Sequence, residues 1–432
     1  MELVHIVGAR PQFIKMAAVS RAIAQYNQGH APDQRIKGLI VHTGQHYDYE
    51  MSKVFFDELE IPKPDYNLGV GSGLHGEQTG EMLKRVEQVL LKEKPDIVLV
   101  YGDTNSTLAG ALAAAKLHIP VAHIEAGLRS FNRAMPEEIN RVLTDHVSTI
   151  LFCPTETAVK NLRKEGFINI ANNGYLVSHS AVDSILAVNH ELRTKNCEPV
   201  VFNIGDVMYD SVLYNLKLAE ERSDVLTRLS LKPNKPSKPN KPMMYALATV
   251  HRAENTDDPA RLRSIFQALD EIARELMPVI LPLHPRTRKQ LSALSNWTNS
   301  MNSMNPIDST NSMNSTNPIN PTNSTNLVII DPVPYLDMLS LEENARLILT
   351  DSGGVQKEAF ILKVPCVTLR EETEWVETVE AGWNVLVGAD EKRIVETARH
   401  FSSQRPSDLP LNPYGDGHAG ERVVNAVRYL RE

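Results

Sequence analysis

Titratable residues follow short apolar runs at four places in the chain. The run VLVYGD ends in Asp103, PVAHIE in Glu125, LATVH in His251 and ILPLH in His284. If these runs are parallel strands, their carboxyl ends meet at the sheet edge where α/β folds bind ligands. Carboxylates and histidines gathered there indicate proton-transfer chemistry, whereas any one of them alone would fit a helix cap.

A further acidic segment, MPEEINR, has the pattern of a helix start. Pro136 suits a first helical position, which places Glu137 near the positive end of the helix. Glu137 and Arg141 are four residues apart, so they are predicted to share one helix face. Glu138 is predicted to face another side, as a structural or solvated residue. In isolation, the segment also fits an exposed ion pair.

The turn GARPQFIK follows the first apolar run. Gly8 permits a tight turn, Pro11 suits a first helical turn, and Arg10 and Lys15 bring positive charge to the helix N-terminus. The turn is a candidate anion site, although surface positions for Arg10 and Lys15 fit the pattern equally well. It lacks the GxGxxG spacing, so the dinucleotide-binding fingerprint is absent.

The segment TDSGGVQKEA is a stronger candidate for phosphate binding. Ser352, Gly353 and Gly354 lie between an apolar run and a helical pattern, where the hydroxyl and the helix amides attract a diphosphate. Glu358 lies one turn further on, where a carboxylate accepts from the two hydroxyls of a ribose. No GxxxxGK[ST] motif is present, which disfavours phosphoryl transfer of the ATP type.

Apolar strand-like runs alternate with helical patterns along both halves of the chain. This alternation predicts the α/β class, with parallel sheets covered by helices. A length of 432 residues exceeds what one core usually supports, so two doubly wound domains with a cleft between them are predicted. Two low-complexity insertions, 232–242 and 296–326, carry no residues with a catalytic pattern.

The composition excludes several classes of function. There are 45 basic and 53 acidic residues, a net charge of −8, which argues against nucleic-acid or anionic-membrane binding. No run is long enough to span a bilayer and no signal peptide is recognised, so a cytoplasmic protein is predicted. The three cysteines have no metal-ligand spacing, and no metal site is predicted.

The motifs together resemble those of the non-hydrolysing UDP-N-acetylglucosamine 2-epimerases. The matching segments include GARPQFIKM, YGDTNSTLAG, HIEAGLRS, MPEEINR, VHRAEN, LPLHPRT, TDSGGVQKEA and NPYGDG, in order through nearly the whole chain. The resemblance implies the glycosyltransferase-B type of fold, with two Rossmann-like domains and an inter-domain cleft. It places the first domain at 1–205 and the UDP-binding domain at 206–411. A C-terminal helix at about 412–432 is expected to pack back on the first domain.

The resemblance also implies a reaction and roles for the singled-out residues. UDP is eliminated from UDP-GlcNAc to give a 2-acetamidoglucal and is then added back, without a cofactor, to give UDP-ManNAc for cell-surface polysaccharide or glycan synthesis. Which carboxylate removes the C2 proton is left open. The implied catalytic residues are Asp103, Glu125, Glu137 and His251. The implied substrate- or UDP-binding residues are Arg10, Lys15, Arg141, His284, Ser352, Gly353, Gly354 and Glu358.

The resemblance further implies a homodimer, and a second substrate site that includes Gln45 and His46. Three departures from the family pattern concern the identity of the sugar. Trp375, in ETEWVE, stands where many relatives have an arginine that helps hold the nucleotide. Val333 and Met338 differ near the expected uracil site. The segments GARPQ and ETEWVE together resemble the branch that includes the UDP-2,3-diacetamido-2,3-dideoxyglucuronate 2-epimerases, which is the alternative.

Other classes of function fit the sequence less well. A glycosyltransferase of the same fold would share the nucleotide-binding half, but it needs an acceptor pocket instead of the carboxylates Asp103, Glu125 and Glu137. A non-catalytic sugar-nucleotide sensor has no need for all the acid, base and phosphate residues. A hydrolysing epimerase is disfavoured because the chain has no kinase segment.

Overall fold

The structure is a computed structural model that describes most of the chain. The described residues are 1–44, 56, 58–177, 198–231, 244–293, 326–407 and 412–428. The chain divides into two compact units, Met1–Leu213 with Leu411–Glu432, and Tyr214–Pro410. Insertion 232–242, nearly all of insertion 296–326, and the residues Gln45 and His46 lie outside the described residues.

The first unit contains a parallel sheet of seven strands in the order β3-β2-β1-β4-β5-β6-β7. The strand order reverses between β1 and β4, and such a switch point is where doubly wound sheets bind ligands. The strands are β1 (Glu2–Val7), β2 (Lys37–His42), β3 (Tyr66–Asn67), β4 (Ile97–Tyr101), β5 (Val121–Ile124), β6 (Ile150–Cys153) and β7 (Val200–Asn203).

Helices cover this sheet because its central strands are apolar on both faces. All five residues of β4 and all four residues of β5 are buried, as expected for parallel strands packed between helices. The helices are α1 (Arg10–Gln28), α2 (His75–Glu93), α3 (Asn105–Lys116), α4 (Pro136–Val147), α5 (Glu156–Lys164) and α6 (Val207–Arg222), with a short 3₁₀ turn at Ala171–Gly174. The boundary between the two units falls within α6.

The C-terminal helix (Ala419–Arg428) packs against α1 in the first unit. The absence of a side chain at Gly420 permits this packing, since a Cβ there would lie 2.9 Å from the Ala18 carbonyl oxygen. The Gly420 N–H donates to the Asp210 carboxylate at 2.7 Å. Residues 412–428 therefore complete the first unit rather than the second.

The second unit contains a parallel sheet of six strands in the order β10-β9-β8-β11-β12-β13, with its reversal between β8 and β11. The strands are β8 (Ala246–Thr249), β9 (Val279–Pro282), β10 (Leu327–Ile330), β11 (Leu347–Thr350), β12 (Cys366–Thr368) and β13 (Asn384–Leu386). The helices are α7 (Val225–Arg228), α8 (Ala253–Thr256), α9 (Pro259–Glu275), α10 (Pro285–Ala293), α11 (Tyr335–Glu343), α12 (Gly353–Ile361), α13 (Val376–Glu380) and α14 (Glu391–Ser403).

These two sheets confirm the predicted α/β class with two doubly wound, Rossmann-like units. Local signals set where several helices begin. Asp258, for example, accepts from the Ala260 N–H at 2.8 Å, and Pro259 occupies the first position of α9. Among the described residues, no helix is both long and apolar enough to cross a membrane.

Candidate active site

Two of the predicted acidic residues follow neighbouring strands of the first sheet. Because β4 pairs Tyr101 with Ile124 of β5, Asp103 and Glu125 emerge at the same sheet edge. This edge lies beside the switch point between β1 and β4. Glu125 has a φ angle of 75°, in the left-handed region that residues with side chains seldom adopt. Such strain is characteristic of functional positions.

Glu125 forms a buried ion pair with Lys15 of α1. The Lys15 Nζ lies 2.5 Å from Glu125 Oε1, and each residue is 8% exposed. Gly102 leaves room for this pair, since a Cβ on it would lie 3.0 Å from the ammonium. The structure thus places Lys15 beside a candidate catalytic carboxylate, and its contact with UDP stays a prediction.

Arg141 links α4 to the turn that carries Asp103. It donates from Nη1 to Glu138 Oε2 at 2.6 Å and from Nη2 to the Asp103 carboxylate. The Asn140 side chain also donates, at 3.0 Å, to the Asp103 carbonyl oxygen. Asp103 is therefore held to α4 through both its backbone and its side chain. The sequence predicted Glu137 as the acidic residue sharing a face with Arg141, whereas Glu138 makes the contact seen here.

Glu138 is a structural residue, and the alternative expectation that it is solvated is wrong. It is 3% exposed, and its carboxylate accepts from the Ser130 N–H and hydroxyl and from the Phe131 N–H, each at 3.0 Å. Burial acts to raise the pKa of Glu138, but the Ser130 N–H and the charge of Arg141 outweigh it and lower the pKa. Glu138 therefore closes the loop that precedes α4.

Glu137 lies in the first turn of α4 and is only half-buried. Within the part of the chain that the structure describes, its carboxylate has no hydrogen-bond or ion-pair partner. A carboxylate at the helix N-terminus that is not committed to a structural contact is available for proton transfer.

His123, which was not singled out from the sequence, lies beneath these carboxylates. Its Nδ1 is 2.6 Å from Asp145 Oδ1, and its Nε2 is 2.8 Å from the Gly102 carbonyl oxygen. Arg129 contacts the other oxygen of Asp145 at 2.7 Å. A histidine inside an apolar strand, two residues before Glu125 and on the same face, was the available signal.

The turn after β1 is held by the side chain of Gln12. Its Oε1 accepts from the Gly8 N–H at 2.8 Å and from the Ala9 N–H at 3.0 Å, and its Nε2 donates to the Tyr101 carbonyl oxygen. These two backbone N–H groups are therefore engaged within the protein. Arg10 is exposed at the start of α1. An anion bound at this turn would therefore be held by the Arg10 side chain instead of by these N–H groups.

In the second unit, the buried Asp351 organises the loop that carries His251. Its carboxylate accepts from the His251 N–H at 3.0 and 3.1 Å and from the Arg252 N–H at 3.0 Å. The His251 Nδ1 lies 3.4 Å from Asp351 Oδ1. Asp351 follows β11 and His251 follows β8, so this contact spans the switch point of the second sheet.

His251 and His284 are neighbours at this edge, with ring centroids 5.7 Å apart. Burial lowers the pKa of His251, although the charge of Asp351 opposes the shift. Burial, and then the charge of Arg286, lowers the pKa of His284. Both imidazoles are therefore neutral at neutral pH and can donate or accept a hydrogen bond.

The predicted diphosphate site lies at the start of α12. Ser352 caps the helix by accepting from the Val355 N–H at 3.5 Å. A Cβ on Gly353 would collide with the Glu374 carboxylate, so the Glu374 side chain would have to move to admit it. A Cβ on Gly354 would meet nothing nearer than the Ser352 hydroxyl at 3.9 Å. The backbone at Gly354 is therefore the more open to a ligand.

Glu358, the predicted ribose ligand, is positioned by Tyr335. The Tyr335 hydroxyl donates to Glu358 Oε1 at 2.8 Å, and both residues are almost fully buried. Trp375 lies buried close to the start of the same helix, and the Lys357 ammonium sits 4.1 Å above its ring centroid.

The singled-out residues fall into one group in each unit. The first group is Arg10, Lys15, Asp103, Glu125, Glu137 and Arg141. The second group is His251, His284, Ser352, Gly353, Gly354 and Glu358. Across the described ranges, no cluster of three or more His, Cys, Asp or Glu side chains has an arrangement that could hold a metal ion.

Comparison with known proteins points to one family. The sequence profile described as UDP-N-acetylglucosamine 2-epimerase matches residues 30–428. The chain is 49% identical over 432 residues to a UDP-N-acetylglucosamine 2-epimerase homolog of Methanococcus maripaludis, covering 100% of both chains. It is 46% identical over 430 residues to the UDP-2,3-diacetamido-2,3-dideoxy-D-glucuronate 2-epimerase of Pseudomonas aeruginosa, again covering 100% of both.

A solved structure agrees with these matches. The UDP-GlcNAc 2-epimerase of Methanocaldococcus jannaschii, in complex with UDP-GlcNAc and UDP, superimposes with a TM-score of 0.77 at 43% identity. The match covers 99% of this chain and 100% of that one. The similarity confirms the predicted glycosyltransferase-B type of architecture, with two Rossmann-like units.

Proposed function

This chain belongs to the UDP-N-acetylglucosamine 2-epimerase family and is an isomerase, and on that premise we propose that it interconverts UDP-GlcNAc and UDP-ManNAc without hydrolysis. The observation that carries this proposal is the set of acidic residues at one edge of the first sheet. Asp103 and Glu125 follow paired strands, and Glu137 begins the helix that holds Asp103. Removing and returning a proton requires such groups.

The proposed reaction inverts C2 by elimination and re-addition. A carboxylate removes the C2 proton while the bond between C1 and the UDP oxygen breaks, which leaves a 2-acetamidoglucal and UDP. UDP then adds back to C1 as a proton is delivered to the opposite face of C2. Atoms and electrons balance without water, an oxidant or a reductant, so no cofactor is needed.

The environments of the acidic residues support different roles in this reaction. Glu137 has no partner within the described chain, which suits a group that exchanges protons with the substrate. Glu125 is paired with Lys15, and Asp103 is held by Arg141, so these carboxylates are fixed in position. Fixed charges near C2 stabilise developing charge without reorganisation during the step.

The second unit supplies the groups proposed to bind UDP. The Ser352 hydroxyl and the amides of the first turn of α12 are proposed to bind the diphosphate, and Glu358, held by the Tyr335 hydroxyl, is proposed to bind the ribose. The neutral imidazoles of His251 and His284 can donate to the departing diphosphate. Arg10 of the first unit is proposed as a further cation for the diphosphate.

A second substrate is supported by a specific observation. Identity to the Pseudomonas aeruginosa enzyme, at 46%, lies between the 49% identity to the Methanococcus maripaludis homolog and the 43% identity to the Methanocaldococcus jannaschii enzyme. Trp375 stands where an arginine is expected, and it packs on Lys357 at the predicted diphosphate site. UDP-2,3-diacetamido-2,3-dideoxyglucuronate is therefore the alternative substrate, and the same reaction applies to it.

Incubation with each UDP-sugar in D₂O, followed by proton NMR, tests the proposed function. With UDP-GlcNAc, the expected products are UDP-GlcNAc and UDP-ManNAc deuterated at C2, with little free sugar. Free ManNAc and UDP as main products would show hydrolysis instead. Turnover of the diacetamido uronate alone would assign the alternative substrate, and turnover of neither would reject the proposal.

The proposal also covers the oligomeric state and the cellular location of the enzyme. Ile139 and Leu143 are 46% and 47% exposed and lie one turn apart on α4, an apolar strip that supports a homodimer. We propose a cytoplasmic homodimer whose product enters the synthesis of a cell-surface polysaccharide or glycan.

A further inference from the structure

His123 is a fully buried histidine in the central strand β5, two residues before Glu125. Both ring nitrogens are engaged, with Nδ1 2.6 Å from Asp145 Oδ1 and Nε2 2.8 Å from the Gly102 carbonyl oxygen. A neutral imidazole has one donor nitrogen and one acceptor nitrogen. Whether the two partners donate or accept hydrogen bonds therefore decides whether the ring is neutral or positively charged.

Both partners of His123 are acceptors. A backbone carbonyl oxygen, such as that of Gly102, has no proton to donate. Asp145 is surrounded by donors, because its Oδ2 also lies 2.7 Å from Arg129 Nη1 and accepts from the Gly127 N–H at 3.1 Å. The geometry therefore requires a proton on each ring nitrogen.

These contacts join three elements that carry candidate catalytic groups. His123 lies on β5, which leads to Glu125. Asp145 lies on α4, which carries Glu137 in its first turn, and Gly102 immediately precedes Asp103. The His123 ring thus connects the end of β4, the end of β5 and helix α4.

We propose that His123 is a positioning residue, held as an imidazolium between Asp145 and the Gly102 carbonyl, that fixes the relative placement of Asp103, Glu125 and Glu137. The proposal rests on the proposed proton transfer at C2. The ring does not reach the substrate in this role. By joining their elements, the His123 ring sets the distances from which the three carboxylates act on the substrate. Its positive charge offsets part of their negative charge.

Two isosteric variants each remove one of the contacts. His123→Asn keeps an N–H at the reach of Nδ1, and His123→Gln keeps one at the reach of Nε2. For each variant, kcat is expected to fall roughly 100-fold while KM changes by less than about threefold, because the UDP-binding groups of the second unit are untouched. The matched control is His5→Gln, also buried in the first sheet, for which kcat is expected to stay within about threefold.

Histidine ¹⁵N NMR of the unmodified protein tests the charge directly. His123 is expected to show two protonated nitrogens, because each ring nitrogen faces an acceptor. His5 provides an internal reference, since its Nδ1 contacts the Tyr101 hydroxyl at 2.6 Å and burial lowers its pKa to about 3. It should show one protonated nitrogen and one bare nitrogen.

The two measurements separate the possible outcomes. A bare nitrogen on His123 overturns the imidazolium, and kcat values for both His123 variants equal to that of His5→Gln overturn the positioning role. If the variants do not fold, the spectrum of the unmodified protein still decides the first point. If the unmodified enzyme exchanges no C2 proton, the proposed function fails while the spectrum still reports on His123.

Discussion

Glu137 and Glu138 are neighbours in the chain, but their carboxylates lie in different surroundings. Glu138 is buried and accepts from Ser130, Phe131 and Arg141. Glu137 is half-buried and has no such partner among the described residues. Successive residues on a helix differ by about 100° in direction. One carboxylate is consequently committed to structure and the other is available for chemistry.

Replacing each glutamate by glutamine should separate these two roles. Glu137→Gln is expected to reduce C2 deuterium exchange by about 10²-fold or more, while stability and the calorimetric affinity for UDP remain unchanged. Glu138→Gln places an amide among donors in a buried site, so it should lower the free energy of unfolding by about 1–3 kcal/mol. If Glu137→Gln exchanges the C2 proton at the rate of the unmodified enzyme, Glu137 is not a catalytic residue.

The sequence indicates which residue types gather at the site but not all of their contacts. The four strand-end residues Asp103, Glu125, His251 and His284 were recognisable because each follows an apolar run. That Glu138 and not Glu137 accepts from Arg141 depends on how residues 130–135 fold back over α4. The contact between Gln12 and Tyr101 joins residues 89 positions apart, and no local pattern encodes it.

The turn between β4 and α3 brings candidate catalytic groups together. Gly102 adopts a φ angle of 63°, which a glycine reaches without steric cost. The same absence of a side chain leaves space for the Lys15 ammonium beside Glu125. This turn therefore sets both the backbone path to Asp103 and the position of the neighbouring ion pair.

Gly102→Ala should impair both stability and catalysis. An alanine in the left-handed region costs roughly 1–2 kcal/mol, and its Cβ would displace Lys15, so kcat should fall by about tenfold or more. Gly80→Ala, on the exposed side of α2 with open space around it, is the matched control. It should raise the free energy of unfolding by up to about 1 kcal/mol and leave kcat unchanged. If urea titrations show the same change in the free energy of unfolding for both variants, this account is wrong.

The elements themselves were largely predictable. Parallel strands buried on both faces give unbroken apolar runs, and β4, β5, β8, β9 and β11 each coincide with a run recognised in the sequence. The strand order is not contained in these runs, because several orders of parallel strands satisfy the same alternation and the same crossover hand. The short strand β3, of two residues, carries too little sequence to be recognised in advance.

At the scale of the whole molecule, the C-terminal segment is tied to the first unit through Asp210. One oxygen of this partly buried carboxylate accepts from the Gly420 N–H, and the other has no hydrogen-bond partner among the described residues. Burial raises the pKa of Asp210 to about 6, against the opposing effect of the Gly420 N–H. The protonated form is therefore favoured by folding.

The pH dependence of stability should report this carboxyl group. Because its folded pKa exceeds its unfolded value, its stabilising contribution is complete below about pH 4 and is lost as the pH rises through about 6, a change of at most about 3 kcal/mol. Asp210→Asn, which stays neutral, should match the unmodified protein near pH 4 and exceed its stability at pH 7. Urea unfolding of both proteins across this range checks the difference, and a constant difference would refute it.

In the second unit, Asp351 anchors the backbone of the loop that carries His251. It holds the loop after β8 through the backbone N–H groups of His251 and Arg252, which every residue except proline possesses. These backbone contacts would therefore persist if the side chains at positions 251 and 252 were exchanged for those of any residue other than proline. Substitutions at these two positions are therefore expected to change what the loop presents to a ligand while its backbone stays anchored to Asp351.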